Sequence, residues 1–226
     1  MQRRHFAALV AASALTSTSL ARAAAPSNGD AAAGIRAALE RGAVAAVGLL
    51  GRPDGFLGNP RVRIPLPGFL EDAAKLLRFT GQQERIDALV TAMNRAAESA
   101  VPEAKALLVN AAKSISLGDA RRIVTGGEDS VTRFFAEKTR LPLGERFLPI
   151  VRRHTARVDL AARFNAVAGK AAGLGLVKGK DANIERYVTS KALDGLYLMI
   201  GEEEKKIRRD PVGTGSAILA KVFGGR

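Results

Sequence analysis

The chain has few side chains suited to chemistry. Beyond its first residues it holds one histidine, His154, and it has no cysteine at all. One imidazole cannot build the usual multi-histidine zinc site, and neither a GxSxG elbow nor an HExxH helix accompanies it. A lone histidine can still act as a general base. Glycosidase-type chemistry needs only two carboxyls that meet in space, and no spacing here selects such a pair. "IVTGGEDSV" (123–131) sets two glycines before a helix, a place where backbone N–H groups can cradle an anion. Glu128 and Asp129 already stand at that helix start, so a structural turn is the expectation. No P-loop or dinucleotide fingerprint is present. No catalytic residue, cofactor or metal is therefore assigned.

Two features of "ALDGLYLMIGEEEKKIRRDP" (192–211) bear on a site. Asp194 interrupts a strongly apolar helical run. Buried there, it would need an arginine or a hydrogen-bonding partner, as either a structural or a functional carboxylate. Gly195 beside it marks the close approach of another backbone. The charged block from Glu202 to Arg209 reads as the wet end of a helix, with Glu202–Lys206 and Glu204–Arg208 as acid-first i,i+4 pairs. Its cations fall in the last turns, where they complement the helix dipole, and Pro211 ends the helix at Asp210.

Charge distribution is the stronger signal. The chain carries +13. Residues 121–180 hold thirteen basic and five acidic side chains, whereas the segments on either side are close to balanced. Within "ERFLPIVRRHTARV", Arg146, Arg153 and Arg157 are spaced by 7 and 4, which brings them to one side of a helix. Arg152 and Arg163 add charge nearby. Such a stripe attracts anionic partners, and salt weakens the attraction.

Compartment narrows the choice of partner. "MQRRHFAALVAASALTSTSLARAAAP" has the basic start, the apolar middle and the small-x-small end of a signal peptide, with cleavage near Ala23. The "RRHF" order contains part of a twin-arginine motif, so either that route or the general secretory route is open. An exported chain without cysteine has no disulfides and relies on its core. The expectation is a periplasmic or secreted protein comprising residues 1–23 as the signal and 24–226 as one domain. The mature protein is expected to have no transmembrane segment. Anionic lipid head groups, lipopolysaccharide phosphates or an acidic protein are then the candidate partners. Nucleic acid is not, because export separates the chain from it and stacking aromatics are scarce.

The elements that must position these residues read as helices almost throughout. Helical periodicity covers 30–50, 68–81, 82–101, 102–116, 117–127, 128–140, 143–158, 159–173, 181–210 and a short last stretch at 215–223. Ser116 with Asp119 imitates a capping box. One stretch differs: "GRPDGFLGNPRVRIPLPG" (51–68) has four prolines and four glycines, which no helix tolerates. It is expected to be an extended connector laid over the helices, with a minimal hairpin as the alternative. The fold class is all-α, a single-domain bundle of about nine helices.

"GRPDGFLGNPRVRIPLP", "NRAAESAVPEAKALLVNAAKSISLGDARRIVTGGEDSVTRFF" and "YVTSKALDGLYLMIGEEEKKIRRDP" closely resemble a bacterial family known as domain of unknown function 4197 (DUF4197). The resemblance implies an exported, all-helical cell-envelope protein and supplies no activity, cofactor or catalytic residue. The sequence therefore points to a non-catalytic binding or scaffold protein whose basic surface within 121–180 meets an anionic partner. An envelope enzyme using carboxylate acid–base chemistry, or a carrier of a small apolar ligand, is the alternative.

Overall fold

The computed structural model describes residues 28–68, 70–71, 79, 81, 83–127, 130–158, 161–162, 164–165 and 183–210. Among them are six α-helices: α1 (Asn28–Leu50), α2 (Gln83–Ala100), α3 (Ala104–Lys113), α4 (Leu117–Thr125), α5 (Ser130–Thr155) and α6 (Ile184–Arg209). A single 3-10 turn, Val101–Glu103, joins α2 to α3 with Pro102 in its first positions, where a missing N–H costs nothing. The fold is all-α, but the expected count of nine helices is corrected in one respect. The helices expected at 128–140 and 143–158 are one helix, α5, over Ser130–Thr155, which runs through Pro142 and Pro149. Each proline removes one ladder bond, from the carbonyls of Lys138 and Glu145. Both are exposed residues, where water can replace it. The helices expected at 68–81, 159–173 and 215–223 lie wholly or mostly outside the described residues.

Burial along α5 recurs at every fourth position: Val131, Phe135, Thr139, Leu143, Phe147, Val151 and Thr155. Four residues turn a helix by roughly 400°, so the buried side drifts by about 40° at each step. The apolar stripe winds round the helix, and α5 can lie against α2, α3 and α6. Helix α6 packs between α5 and α1. Small residues set that spacing. A Cβ on Gly42 of α1 would meet Glu203 Cβ at 3.5 Å, and one on Gly201 of α6 would sit 2.8 Å from Thr132 Oγ1. Phe135, Phe147, Leu143, Leu108, Met93 and Ile35 are among the fully buried side chains of the one continuous core.

Local physics fixes the ends. Ser116 accepts from Asp119 N while the Asp119 carboxylate accepts from Ser116 N, so the capping box of α4 forms as read. Asn183 caps α6 by accepting from Arg186 N, and Asp210 closes it. Arg36 of α1 donates from Nε and Nη2 to Ile115 O at 3.0 and 2.6 Å, satisfying a carbonyl just past α3.

Residues 51–68 form neither a helix nor a hairpin. Turns run from Gly51 to Val62, and a stretch without regular secondary structure follows to Pro67. Phe56, Val62 and Ile64 are buried beneath it. Its backbone is held by two buried polar side chains one turn apart on α2. Glu98 Oε1 accepts from Phe56 N and Leu57 N, both at 3.0 Å. Asn94 accepts from Ile64 N at 2.9 Å and returns a bond to Ile64 O at 3.0 Å, as a neighbouring strand would. Arg95 joins Glu98 Oε2 at 2.7 Å to Asp54 Oδ1 at 2.8 Å. The Tyr187 hydroxyl donates to Pro65 O at 3.2 Å.

The connector packs onto α6 at Gly195. A Cβ there would fall 2.9 Å from Phe56 Cε1 and 3.2 Å from Val62 Cβ. The close approach expected at Gly195 exists, but it is made by side chains and not by another backbone.

Candidate functional site: a basic helix end and an adjoining groove

Helices α5 and α6 run antiparallel. Gly201 meets Thr132, Asp194 meets Arg140, and Glu185 meets Thr155. The C-terminal half of α5 and the first turn of α6 therefore share one end of the helix pair. Arg146, Arg152, Arg153 and Arg157 are all exposed there. Among the described residues none of the four has a carboxylate partner. No acid occurs in the sequence from Arg146 to Val158.

At 100° per residue Arg146 and Arg153 point within roughly 20° of one another and about 10 Å apart along the axis. Arg157 follows in the turn after α5. Arg152 is turned about 100° away from Arg153. Arg163 lies outside the described residues.

Sequence reading missed a fifth cation. Arg186, in the first turn of α6, is exposed and without an acidic partner among the described residues. It lies outside the 121–180 window, and only the antiparallel pairing brings it to the basic end. The acid nearest to it in sequence, Glu185, is taken up elsewhere. It accepts from Thr155 Oγ1 at 3.3 Å and from Asn165 Nδ2 at 3.0–3.1 Å, while Asn165 Oδ1 accepts from Ile184 N at 2.8 Å. That carboxylate also sits at the positive end of the α6 dipole.

The Asp194 expectation is corrected. Its side chain is 48 % exposed, so it is not a buried carboxylate. The outer side of α6 carries Lys191, Asp194 and Leu198 at spacings of 3 and 4, while Leu193, Leu196, Tyr197 and Ile200 face the core. Asp194 pairs with Arg140 at 2.6 Å. That guanidinium also lies 5.9 Å from the Tyr197 ring centre. Burial pushes the Tyr197 phenol up, against a hydrogen bond with Thr139 Oγ1 at 2.9 Å.

The charged end of α6 also differs from expectation. Glu202 pairs with Arg61 of the connector at 3.0 Å and with Lys205 at 3.6 Å, and Glu203 pairs with Lys206 at 2.6 Å. Glu202 thus pairs with Arg61 and Lys205 in place of the expected Lys206, while the other expected pair, Glu204–Arg208, involves a side chain outside the described residues. The hydrogen bond from Arg61 holds the Glu202 carboxyl below its ordinary range. Glu204 is buried.

The paired glycines form a structural turn. Gly126 N donates to Arg122 O at 2.9 Å, and a Cβ there would collide with Arg122 O and Ser130 Cβ, each at 2.6 Å. His154 is half-buried at the end of α5. Among the described residues no cluster of His, Asp and Glu comes together that could hold a metal ion. No helix among them is long and apolar enough to cross a membrane.

An open groove of about 610 Å³ lies between α5 and α6 beside the basic end. Leu141, Gly144, Leu148 and Leu193 give it an apolar surface, with Glu137, Arg140, Glu145 and Arg186 as its charged lining. Leu141 is 76 % exposed. Thr189 lines the same groove, and its hydroxyl is buried without a hydrogen-bond partner.

The chain belongs to the family described as protein of unknown function DUF4197, whose model matches residues 25–224. No significant match to a curated protein or to a solved structure accompanies it.

Proposed function

We propose that this chain is an exported, non-catalytic helical binding protein of the bacterial cell envelope, using the arginines at the α5–α6 end to hold an anionic partner. The observation that carries the reading is that Arg146, Arg152, Arg153, Arg157 and Arg186 are exposed while no carboxylate among the described residues neutralises them. A surface arginine already paired with an acid gains little by exchanging it for a ligand, whereas an unpaired one attracts phosphate or carboxylate from a distance.

The N-terminal pattern around Arg3, Arg4 and Ala21–Ala23 supports export with cleavage near Ala23. The mature chain, 24–226, is then one helical domain in the periplasm or outside the cell. Lipid head groups or lipopolysaccharide phosphates fit this compartment, and nucleic acid does not.

The test is binding of the mature protein to vesicles that contain anionic lipid and to vesicles of zwitterionic lipid alone. Binding should be confined to the anionic vesicles. It should weaken steeply as the screening length shortens from about 30 Å at 0.01 M salt to about 8 Å at 0.15 M. Equal binding to both vesicle types would refute the proposal.

A further inference from the structure

The groove between α5 and α6 has an order along its length that an unspecific apolar patch lacks. On α6, Arg186, Thr189 and Leu193 follow one another at spacings of 3 and 4, so they descend one side of the helix as cation, hydroxyl and apolar group. Arg186 and Thr189 and Leu193 all line the groove. On α5, Leu141, Leu148 and Arg152 fall at spacings of 7 and 4, and the antiparallel pairing sets Arg152 near the level of Arg186.

Arg186, unpaired among the described residues, thus lines one end of the groove with Arg152 near its level on α5, and apolar side chains follow for about three helical turns. Glu145 lines the groove two turns back from Arg152, about 10 Å along the axis and near the limit of screening at physiological salt. The Thr189 hydroxyl is 93 % buried by residue exposure and has no partner. Buried polar groups are nearly always satisfied, and this enclosed hydroxyl belongs to a residue of the groove wall, one rotamer change from a partner bound there.

We infer that this groove binds a single-chain anionic amphiphile: a phosphate or carboxylate head at Arg152 and Arg186, a hydrogen-bonding linker at Thr189, and an alkyl chain along Leu148, Leu193 and Leu141. The volume falls in the range of about 300–1,000 Å³ usual for small-molecule sites. Charge complementarity selects the sign of the head group. The position of Thr189, one turn from Arg186 and one from Leu193, selects an ester or hydroxyl between head and chain. A docked amphipathic peptide would cover the leucines but has no feature that matches this order.

The test uses the mature protein with four monomeric probes: lauroyl lysophosphatidate, monolauroyl glycerol, dodecyl phosphate and inorganic phosphate. Titration calorimetry should show one site for lysophosphatidate. The neutral glyceride and inorganic phosphate should each bind at least about tenfold more weakly, the loss expected for a charge-assisted contact or for the buried chain. Arg186→Ala and Leu141→Gln should each weaken lysophosphatidate at least about fivefold. Both positions are exposed, so the melting temperature should hold.

Thr189→Val should weaken lysophosphatidate but leave dodecyl phosphate, which lacks the linker, unchanged. Equal affinity for the neutral glyceride would overturn the head-group assignment. Indifference to Leu141→Gln would overturn the groove itself. Arg146→Glu/Arg153→Glu, on the other side of α5, should abolish vesicle binding and leave lysophosphatidate binding intact. The groove and the vesicle-binding surface can therefore fail separately.

Discussion

Glu98 is the most exacting test of how the connector is held, because one carboxylate oxygen accepts from two of its backbone N–H groups. Glu98→Ala would orphan two backbone donors, Phe56 N and Leu57 N, and remove one of the two acids that hold Arg95. A buried donor left without a partner costs about 1–3 kcal/mol. Phe56 N is in a buried bond and Leu57 N in a partly buried one, so water recovers some of the second loss. The expected destabilisation is about 3 kcal/mol.

Glu98→Gln keeps one carbonyl oxygen for the two donors but sets an NH2 against the Arg95 guanidinium in place of Oε2, losing the charge assistance and the exposed-side Arg95 bond, for about 1–2 kcal/mol. Urea unfolding of the two variants measures both. Amide exchange localises the effect: protection should fall at Phe56 and Leu57 but persist at Ile64, which Asn94 holds separately. A Glu98→Ala protein within about 0.5 kcal/mol of the parent would refute the reasoning.

Four further outcomes follow from the geometry. Gly195→Ala gains about 1 kcal/mol of helix propensity but drives a Cβ to 2.9 Å from Phe56, so it should destabilise by about 1 kcal/mol net. Gly144→Ala, whose Cβ would meet Leu193 Cδ1 at an ordinary 4.0 Å, should instead raise the melting temperature. Hydrogen bonds from Ser116, then the Arg122 guanidinium, lower the Asp119 carboxyl from 3.8 to about 2. A carboxyl depressed in the folded state stabilises above its unfolded pKa and loses that contribution as pH falls through the folded value. The melting-temperature gap between parent and Asp119→Asn should therefore be constant above about pH 4 and close toward pH 2. Asp194→Asn breaks an exposed ion pair and should cost less than about 1 kcal/mol by urea unfolding, since water and salt screen it.

What the sequence made legible follows from how local each signal is. The Ser116–Asp119 box, the stop at Asp210 and the non-helical 51–68 stretch rest on neighbours within a few residues, and the structure has them. Helix α5 reads as two, parted at Pro142, and its buried positions recur every fourth residue. That drift hides the stripe from any reading that assumes one fixed face. Asn94 and Glu98 look like ordinary polar helix positions in "NRAAES"; their role depends on a connector thirty or more residues away. Asp194 sits in an apolar run, yet the run surrounds an exposed stripe. For the candidate site, the α5 arginines stand out in the charge count, whereas Arg186 and the Thr189 groove exist only through the pairing of α5 with α6.

The central claim, that an anionic partner is held at one place and not by overall positive charge, is tested most directly by two double reversals with the same change in net charge. Arg146→Glu/Arg153→Glu alters the α5 end. Arg52→Glu/Lys105→Glu alters exposed cations on the connector and α3, which have no acidic partner among the described residues. Anionic-vesicle binding at physiological salt should be lost in the first variant and kept in the second. Equal loss in both would contradict the account.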